Sequence, residues 1–221
     1  MPEPLVDLPR PGAVIFDLDG TLVDTVETRT RAWLAVFAEE GISASRRQVA
    51  ELIGSDGRRL AREVAATAGI ILEPGRDERI DARCGELFAK LNRDPQPLPG
   101  VRRLLADLDR AGIPWLIATS SRPEQVAVSV AALGLARRAP VVDGSRVAHA
   151  KPAPDLLLLA AREVGVAPAA CWYVGDASWD MLAAVAAGMI PIGVTTGAVS
   201  ARVLREAGAG WMVATLEDLS L

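Results

Sequence analysis

Two aspartates separated by one residue, Asp17 and Asp19, directly follow an apolar run at residues 13–16. The run is typical of a buried strand, and Gly20 after the pair permits a sharp turn. If the backbone is still extended there, the two side chains point to the same side, about 6–7 Å apart. Carboxylates held together in this way suggest a cation site and two different chemical roles, since close like charges push their pKa values apart. An acidic junction between strand and turn is the alternative for this motif taken alone.

Hydroxyl, ammonium and carboxylate side chains also follow the later strands that apolar runs predict. In chain order they are Thr119, Ser120, Lys151, Asp176 and Asp180. Strands that alternate with helices predict a mostly parallel sheet, in which the chemistry gathers beyond the carboxyl ends of the strands. We therefore expect these groups to meet the first two aspartates at one edge of the sheet. Taken singly, Thr119 has an alternative as a helix N-cap, Asp180 as a first-turn acid and Lys151 as an exposed loop charge.

The charge balance of this set favours a phosphate ester as the substrate. Asp17, Asp176 and Asp180 bring about three negative charges, and a phosphate monoester adds up to about two more. Such a cluster needs a divalent cation and a lysine, and carboxylate oxygens together with phosphate are the usual ligands of Mg²⁺. An ionised aspartate can attack phosphorus without a base, and a second aspartate can protonate the departing alkoxide and later deprotonate water. Lys151 and Thr119 would stabilise charge on the non-bridging oxygens.

The composition excludes several other classes of protein. The chain has 221 residues, half of them hydrophobic, which suffices for one domain with a small insert. Its 24 basic and 28 acidic residues give a net charge of −4, which offers no footprint for nucleic acid or a polybasic membrane contact. His149 is the only histidine, so multi-histidine zinc sites are impossible. No apolar run reaches about 18 residues, so we expect no membrane-spanning helix. We expect a cytoplasmic monomer or homodimer without nucleic-acid or membrane partners.

Residues 24–95 differ from the rest of the chain because their apolar positions follow helical spacing, whereas strand and helix patterns alternate after them. Gly41 and Gly69 are predicted to end helices there, and Ser45 to cap one. A short strand at 70–71 is the one alternative within this block. We therefore predict an α/β core domain made of residues 1–23 and 96–221, with an all-helical domain inserted at 24–95.

The motifs, in this order, resemble those of the haloacid dehalogenase (HAD) superfamily. The stretches that carry the resemblance are Asp17-Leu18-Asp19-Gly20-Thr21, Thr119-Ser120, Lys151-Pro152-Ala153-Pro154-Asp155 and Gly175-Asp176-Ala177-Ser178-Trp179-Asp180. The resemblance runs over most of the chain, from about residue 14 to residue 219. It implies a Rossmann-like parallel sheet flanked by helices, with an inserted α-helical cap that closes over the site and recognises the leaving group.

The resemblance also implies a role for each motif residue. Asp17 would be the nucleophile that becomes a phosphoaspartate, and Asp19 would be the general acid and base. The ligands of Mg²⁺ would be Asp17, the backbone carbonyl of Asp19, Asp176 and Asp180, the last directly or through water. The residues that hold the phosphoryl group would be Thr119, Ser120 and Lys151.

The second aspartate of the first motif, Asp19, limits the types of reaction that the resemblance implies. The dehalogenases and phosphonatases of the superfamily lack it, whereas its phosphatases and β-phosphoglucomutases keep it. The mutases carry a histidine where Arg29 aligns, so we expect a Mg²⁺-dependent phosphatase of a small ester such as phosphoglycolate or a sugar phosphate. A phosphomutase and a catalytically idle binding protein are the alternatives. Arg29, Arg58 and Arg59 are candidates for binding the distal end of the substrate, with a solvated surface role as the alternative.

Overall fold

The computed structural model describes residues 7–136 and 138–221, and a six-stranded parallel sheet forms its centre. In chain order the strands are β1 (Ala13–Phe16), β2 (Val23–Asp24), β3 (Gln96–Pro97), β4 (Trp115–Ala118), β5 (Val141–Val142), β6 (Cys171–Gly175), β7 (Ile190–Val194) and β8 (Trp211–Val213). The large sheet has the order β5-β4-β1-β6-β7-β8, and β2 and β3 form a separate two-stranded ribbon.

Helices flank the sheet and fill the long insert after β1. They are α1 (Val26–Glu39), α2 (Arg46–Leu52), α3 (Gly57–Thr67), α4 (Arg76–Leu91), α5 (Val101–Ala111), α6 (Pro123–Ala132), α7 (Asp155–Val164), α8 (Ser178–Ala186) and α9 (Ala201–Glu206). Short 3₁₀ turns lie at Gly144–Arg146 and Pro168–Ala170. Within the described residues, no helix combines the length and apolar character that a bilayer crossing requires.

Strand β1 lies inside the sheet, between β4 and β6. Val14 is in register with both Trp115 and Trp172, so the three strands run side by side in the same direction. All four residues of β1 are buried, which explains why its sequence is a continuous apolar run and not an alternating one. The parallel arrangement places the carboxyl ends of these strands at one edge, and the residues that follow them must meet there.

Two buried apolar clusters cover the two faces of the sheet. Phe16, Leu104 and Ile117 belong to the cluster on one face, and Ile15 and Leu157 to the cluster on the other. Side chains alternate along each strand, so neighbouring residues such as Ile15 and Phe16 enter different clusters. The α/β fold class with a parallel sheet flanked by helices is thereby confirmed.

Helices α1 to α4 enclose a third buried cluster of their own, which contains Trp33, Phe37, Ile80 and Phe88. The chain enters these helices through β2 and leaves them through β3, in the antiparallel ribbon that the sequence did not predict. All four lie inside the predicted insert at 24–95, whose division from the core as a domain stays a prediction.

The helix start predicted at Ser45 is confirmed. The Ser45 hydroxyl accepts the backbone N–H of Gln48 at 3.2 Å, and the Gln48 side chain accepts the Ser45 N–H at 2.9 Å. The alternative strand at 70–71 is wrong, because that segment lies outside every strand and Ile71 is 94% exposed. A lone exposed isoleucine has no partner strand or sheet face on which to pack.

The independent core of α1 to α4 leads to a stability prediction. Ile80→Ala removes a fully buried side chain of α4 and should lower the free energy of unfolding by about 2–5 kcal/mol. Ile71→Ala makes the same chemical change at an exposed position and should alter it by less than about 0.5 kcal/mol. Urea denaturation of both variants measures the difference. Equal losses at the two positions would contradict the packing described here.

Candidate active site

Lys151 lies at the centre of the carboxyl edge of the sheet and is fully buried. Its Nζ donates to Oδ1 of Asp17 at 2.6 Å, to Oδ1 of Asp180 at 2.7 Å and to the Tyr173 hydroxyl at 3.2 Å. Burial lowers the pKa of Lys151, but the charges of Asp17 and Asp180 outweigh it and hold the pKa well above its ordinary value. The ammonium therefore stays charged, and the alternative of an exposed loop charge is wrong.

Three buried carboxylates surround this ammonium. Asp17, Asp176 and Asp180 each place one oxygen within 4.8 Å of the others. Burial raises the pKa of Asp17 to about 7, an effect that Lys151 opposes and Asp180 adds to. Burial, followed by the charges of Asp180 and Asp17, also raises the pKa of Asp176 well above its ordinary value. With all three carboxylates ionised, the cluster would carry more negative charge than one lysine can balance, and the raised pKa values reflect that repulsion together with burial.

The donor set of this cluster fits a hard divalent cation such as Mg²⁺, which prefers carboxylate oxygens. The surroundings of Asp176 are shaped for its carboxylate, because a Cβ at Gly20 or Gly197 would lie 2.4 or 1.9 Å from Oδ2. The Thr21 hydroxyl donates to the other oxygen, Oδ1, at 2.8 Å. Sequence reasoning missed Gly197, although it follows the carboxyl end of β7, where the rule used for the other strands would have found it.

Asp180 combines two roles that the sequence offered as alternatives. It lies in the first turn of α8, and its Oδ2 accepts the backbone N–H of Ala177 at 3.0 Å. Its Oδ1 accepts from Lys151 and, at 3.0 Å, from the Tyr173 hydroxyl. Asp180 therefore fixes the position of the lysine as well as the start of the helix.

Asp19 occupies a different environment from Asp17. Its Oδ1 accepts the Thr25 hydroxyl at 2.6 Å, and its Oδ2 accepts Arg29 and the Ser121 hydroxyl, each at 2.8 Å. Burial raises the pKa of Asp19, but the charge of Arg29 and the hydrogen bonds from Thr25 and Ser121 outweigh it, so the pKa lies below its ordinary value. The pKa values of Asp17 and Asp19 are thus shifted in opposite directions.

Arg29 connects the first helix of the insert to the core. One guanidinium nitrogen donates to Asp19 and to Ser121, and the other donates to Oε1 of Gln125 at 2.8 Å. The guanidinium carbon also lies 3.5 Å from the ring centroid of Phe88, a cation–π contact. Among the three arginines predicted to reach the substrate, Arg29 is thus the one that the structure places on the cavity wall.

Thr119 and Ser120 follow β4 at the same edge. Thr119 is buried, and its hydroxyl accepts the backbone N–H of Ser121 at 3.1 Å. The N-cap position of α6 is held by Arg122, so the alternative role of Thr119 as a helix cap is wrong. The Ser120 hydroxyl approaches the carbonyl of Gly54 at 3.4 Å, which places it between the core and the helical insert.

A small cavity of about 60 Å³ joins these groups. Its core side includes most of the polar residues described above, namely Asp17, Asp19, Thr119, Ser120, Ser121 and Lys151. Its opposite wall comes from the helical insert and includes Trp33, Ile53, Leu60 and Asp81. The insert therefore covers the acidic edge of the sheet. Its residues can contact the part of a substrate that points away from that edge.

Arg58 and Arg59 do not line this cavity. Arg58 pairs with Asp56 at 3.1 Å, and the guanidinium of Arg59 lies 4.4 Å from the ring centroid of Trp179. The role of these two arginines in substrate binding stays a prediction. His149 is exposed, with Nδ1 3.1 Å from Asp155, and takes no part in the site.

Several residues of the site were not among those predicted from the sequence. They are Thr25, Asp81, Ser121, Gln125 and Tyr173. Tyr173 lies within the apolar pattern of β6, and Gln125 within a helix, so their types and spacing indicated only secondary structure. Ser121 directly follows the Thr119-Ser120 turn and could have been found by extending that motif by one residue.

Comparisons with known proteins identify the family of this chain and several of its relatives. The model of a hydrolase family, described as haloacid dehalogenase-like hydrolase, matches residues 11–188. A phosphoglycolate phosphatase of Xanthomonas campestris pv. campestris (strain 8004) is 37% identical over 81% of this chain and 80% of its own. A β-phosphoglucomutase of Bacillus subtilis (strain 168) is 33% identical over 84% of each chain. The crystal structure of a hydrolase from Pseudomonas syringae has a TM-score of 0.88 and 30% identity, over 93% of this chain and 94% of that one.

The surplus of negative charge around Lys151 leads to a prediction for metal binding. Mg²⁺ should stabilise the fold, by about 2.7 kcal/mol at a hundredfold excess over its dissociation constant. Asp176→Asn removes one donor and should abolish most of the rise in unfolding temperature. Asp94→Asn, at an exposed position, should retain it. Thermal unfolding with and without Mg²⁺ makes the measurement, and an equal rise in both variants would show that the cation binds elsewhere.

Proposed function

Because the chain belongs to the haloacid dehalogenase-like hydrolase family, we propose that it is a Mg²⁺-dependent phosphatase acting through a phosphoaspartate on Asp17. Its substrate would be a small phosphate monoester of the phosphoglycolate or sugar-phosphate type. The observation that carries this proposal is the shared cavity, in which Asp17, Asp19, Thr119 and Lys151 face the same small space. Besides the ligands of the cation, such a reaction requires from side chains a nucleophile, an acid and groups for the phosphoryl oxygens.

Hydrolysis would take place in two steps. In the first, a carboxylate oxygen of Asp17 attacks phosphorus, the ester P–O bond breaks, and the leaving oxygen takes a proton from the Asp19 carboxyl. In the second, Asp19 takes a proton from water, the water oxygen attacks phosphorus, and the bond to Asp17 breaks to release phosphate. Asp19 thus returns to its protonated state, and Asp17 to its ionised one.

The remaining polar groups would hold the phosphoryl oxygens. Lys151 is already charged and directed at Asp17, so it can reach an oxygen on the attacked phosphorus, and the hydroxyls of Thr119 and Ser120 would donate from the adjacent turn. The residues that would hold Mg²⁺ are Asp17, the backbone carbonyl of Asp19, Asp176 and, directly or through water, Asp180. When bound, the cation supplies positive charge that stabilises the phosphoryl oxygens.

The environment of Asp19 in this structure suits the second step. Arg29, Thr25 and Ser121 stabilise the ionised carboxylate, the form that accepts a proton from water. For the first step the carboxyl must carry a proton, so it has to leave this arrangement as the ester enters. Arg29 would therefore connect the position of the insert with the protonation of the acid.

A phosphomutase is the second candidate, since the relatives include a β-phosphoglucomutase that is similar over most of this chain. A mutase transfers the phosphoryl group back to a sugar phosphate, whereas a phosphatase transfers it to water. Isomerised sugar phosphate without free phosphate would identify the mutase. A binding protein on the same fold would produce neither.

The nucleophile is tested by a neutral replacement of the same shape. Asp17→Asn should lower kcat for p-nitrophenyl phosphate by about 10³-fold or more, because an amide does not displace the ester oxygen. Asp94→Asn makes the same change in charge at an exposed site and should keep wild-type turnover. Phosphate release in the presence of Mg²⁺ is the assay. Substantial activity in a folded Asp17→Asn variant would refute the proposed role of this residue.

Arg29 leads to a prediction about pH. Arg29→Met removes the charge that opposes burial, so the pKa of Asp19 should rise and its ionised form should appear only at higher pH. The acidic limb of phosphoenzyme hydrolysis, which needs ionised Asp19, should therefore shift to higher pH. Arg29→Lys keeps the charge and should leave the limb near its wild-type position. Single-turnover rates of phosphoenzyme hydrolysis, measured across the pH range, test this prediction. An unshifted acidic limb in the methionine variant would show that Arg29 does not set the pKa of Asp19.

A further inference from the structure

We propose that Asp81 is a specificity-determining residue that selects esters with a neutral, hydroxyl-bearing leaving group over esters with a second anionic group. This inference rests on the proposed phosphatase function and adds the class of substrate. Its starting point is the wall of the cavity opposite the phosphoryl site, where Asp81 is the one acidic side chain contributed by the helical insert among the described lining residues.

The carboxylate of Asp81 has a shaped position against the next helix of the insert. It projects from α4 onto Gly57 at the start of α3, where a Cβ would lie only 1.9 Å from its Oδ1. Its Oδ2 accepts Arg122 at 3.1 Å, and its side chain is 18% exposed. Within the described residues Oδ1 accepts no hydrogen bond, so this oxygen can receive one from a substrate hydroxyl.

Every arginine around the leaving-group side already has an acidic partner. Arg29 pairs with Asp19 at the cavity itself. In the cleft next to it, Arg58 pairs with Asp56 and Glu78, and Arg122 pairs with Glu78 and Asp81. Among the pairs that exclude the core acid Asp19, two arginines against three acids leave a local charge of 2 − 3 = −1. A carboxylate or a second phosphate on the substrate would therefore meet surplus negative charge.

Burial also raises the pKa of Asp81, an effect that Arg122 opposes. The carboxyl is thus partly desolvated, and a second anion in the same enclosed space would be poorly screened by water. A substrate hydroxyl can donate a hydrogen bond to Asp81 and so replace the one lost with a displaced water molecule. Sites that hydrogen-bond a substrate hydroxyl discriminate strongly against analogues that cannot donate.

Two esters of nearly equal size separate these cases. Hydroxyethyl phosphate and phosphoglycolate differ only in that the first ends in a neutral CH₂OH group and the second in a carboxylate. We expect wild-type kcat/KM to be about 10-fold or more higher for hydroxyethyl phosphate. Asp81→Asn removes the repelling charge and should reduce this ratio by about 10-fold. Glu86→Gln makes the same change in charge on the exposed side of α4 and should leave the ratio unchanged.

The wild-type ratio needs no variant, so the inference is falsifiable even if Asp81→Asn does not fold. A preference for phosphoglycolate, or an equal ratio in folded Asp81→Asn and wild type, would overturn it. Mg²⁺-dependent hydrolysis of p-nitrophenyl phosphate separates the two proposals. If this ester is hydrolysed while the selectivity is absent, only the role of Asp81 fails, and if it is not hydrolysed, the phosphatase function fails as well.

Discussion

One buried ammonium group, Nζ of Lys151, holds the acidic edge of the sheet together. The parallel order of β4, β1 and β6 forces the residues that follow these strands into one place, and several of them are aspartates. Carboxylates this close and this buried repel each other unless positive charge lies among them. Lys151 supplies one such charge between Asp17 and Asp180, and the remaining surplus fits a divalent cation. The same constraint thus shapes the fold at this edge and defines the chemistry that it can perform.

The helical insert completes the site from the other side. Arg29 carries this connection, because it reaches from α1 to Asp19 and Ser121 in the core and stacks on Phe88 of α4. A second contact lies at the start of α8, where the indole N–H of Trp179 donates to the carbonyl of Glu51 at 3.1 Å. These contacts join the acidic edge of the sheet to the insert wall of the cavity, so a change in the position of the insert would alter both the surroundings of Asp19 and the shape of the cavity.

Much of the site could be predicted because a single rule, that chemistry follows the ends of parallel strands, needs only the position of each strand. That rule alone predicts that Asp17, Lys151 and Asp176 lie together. It could not find Tyr173, whose hydroxyl bonds to Lys151 from within an apolar strand pattern, since periodicity says nothing about where a buried hydroxyl points. The β2–β3 ribbon was missed because two-residue strands are too short to show alternation. Selectivity at Asp81 likewise depends on packing between helices, which spacing along one helix does not reveal.

The central claim is that Asp17 itself carries the phosphoryl group, and trapping that intermediate tests it most directly. Enzyme mixed with Mg²⁺ and p-nitrophenyl phosphate is quenched within the first turnover, reduced with borohydride, and mapped by peptide mass spectrometry. Reduction of an aspartyl phosphate converts the residue to homoserine, so homoserine at position 17 is the expected result. Release of phosphate at the normal rate with an unmodified Asp17, or modification at another carboxylate, would contradict the mechanism.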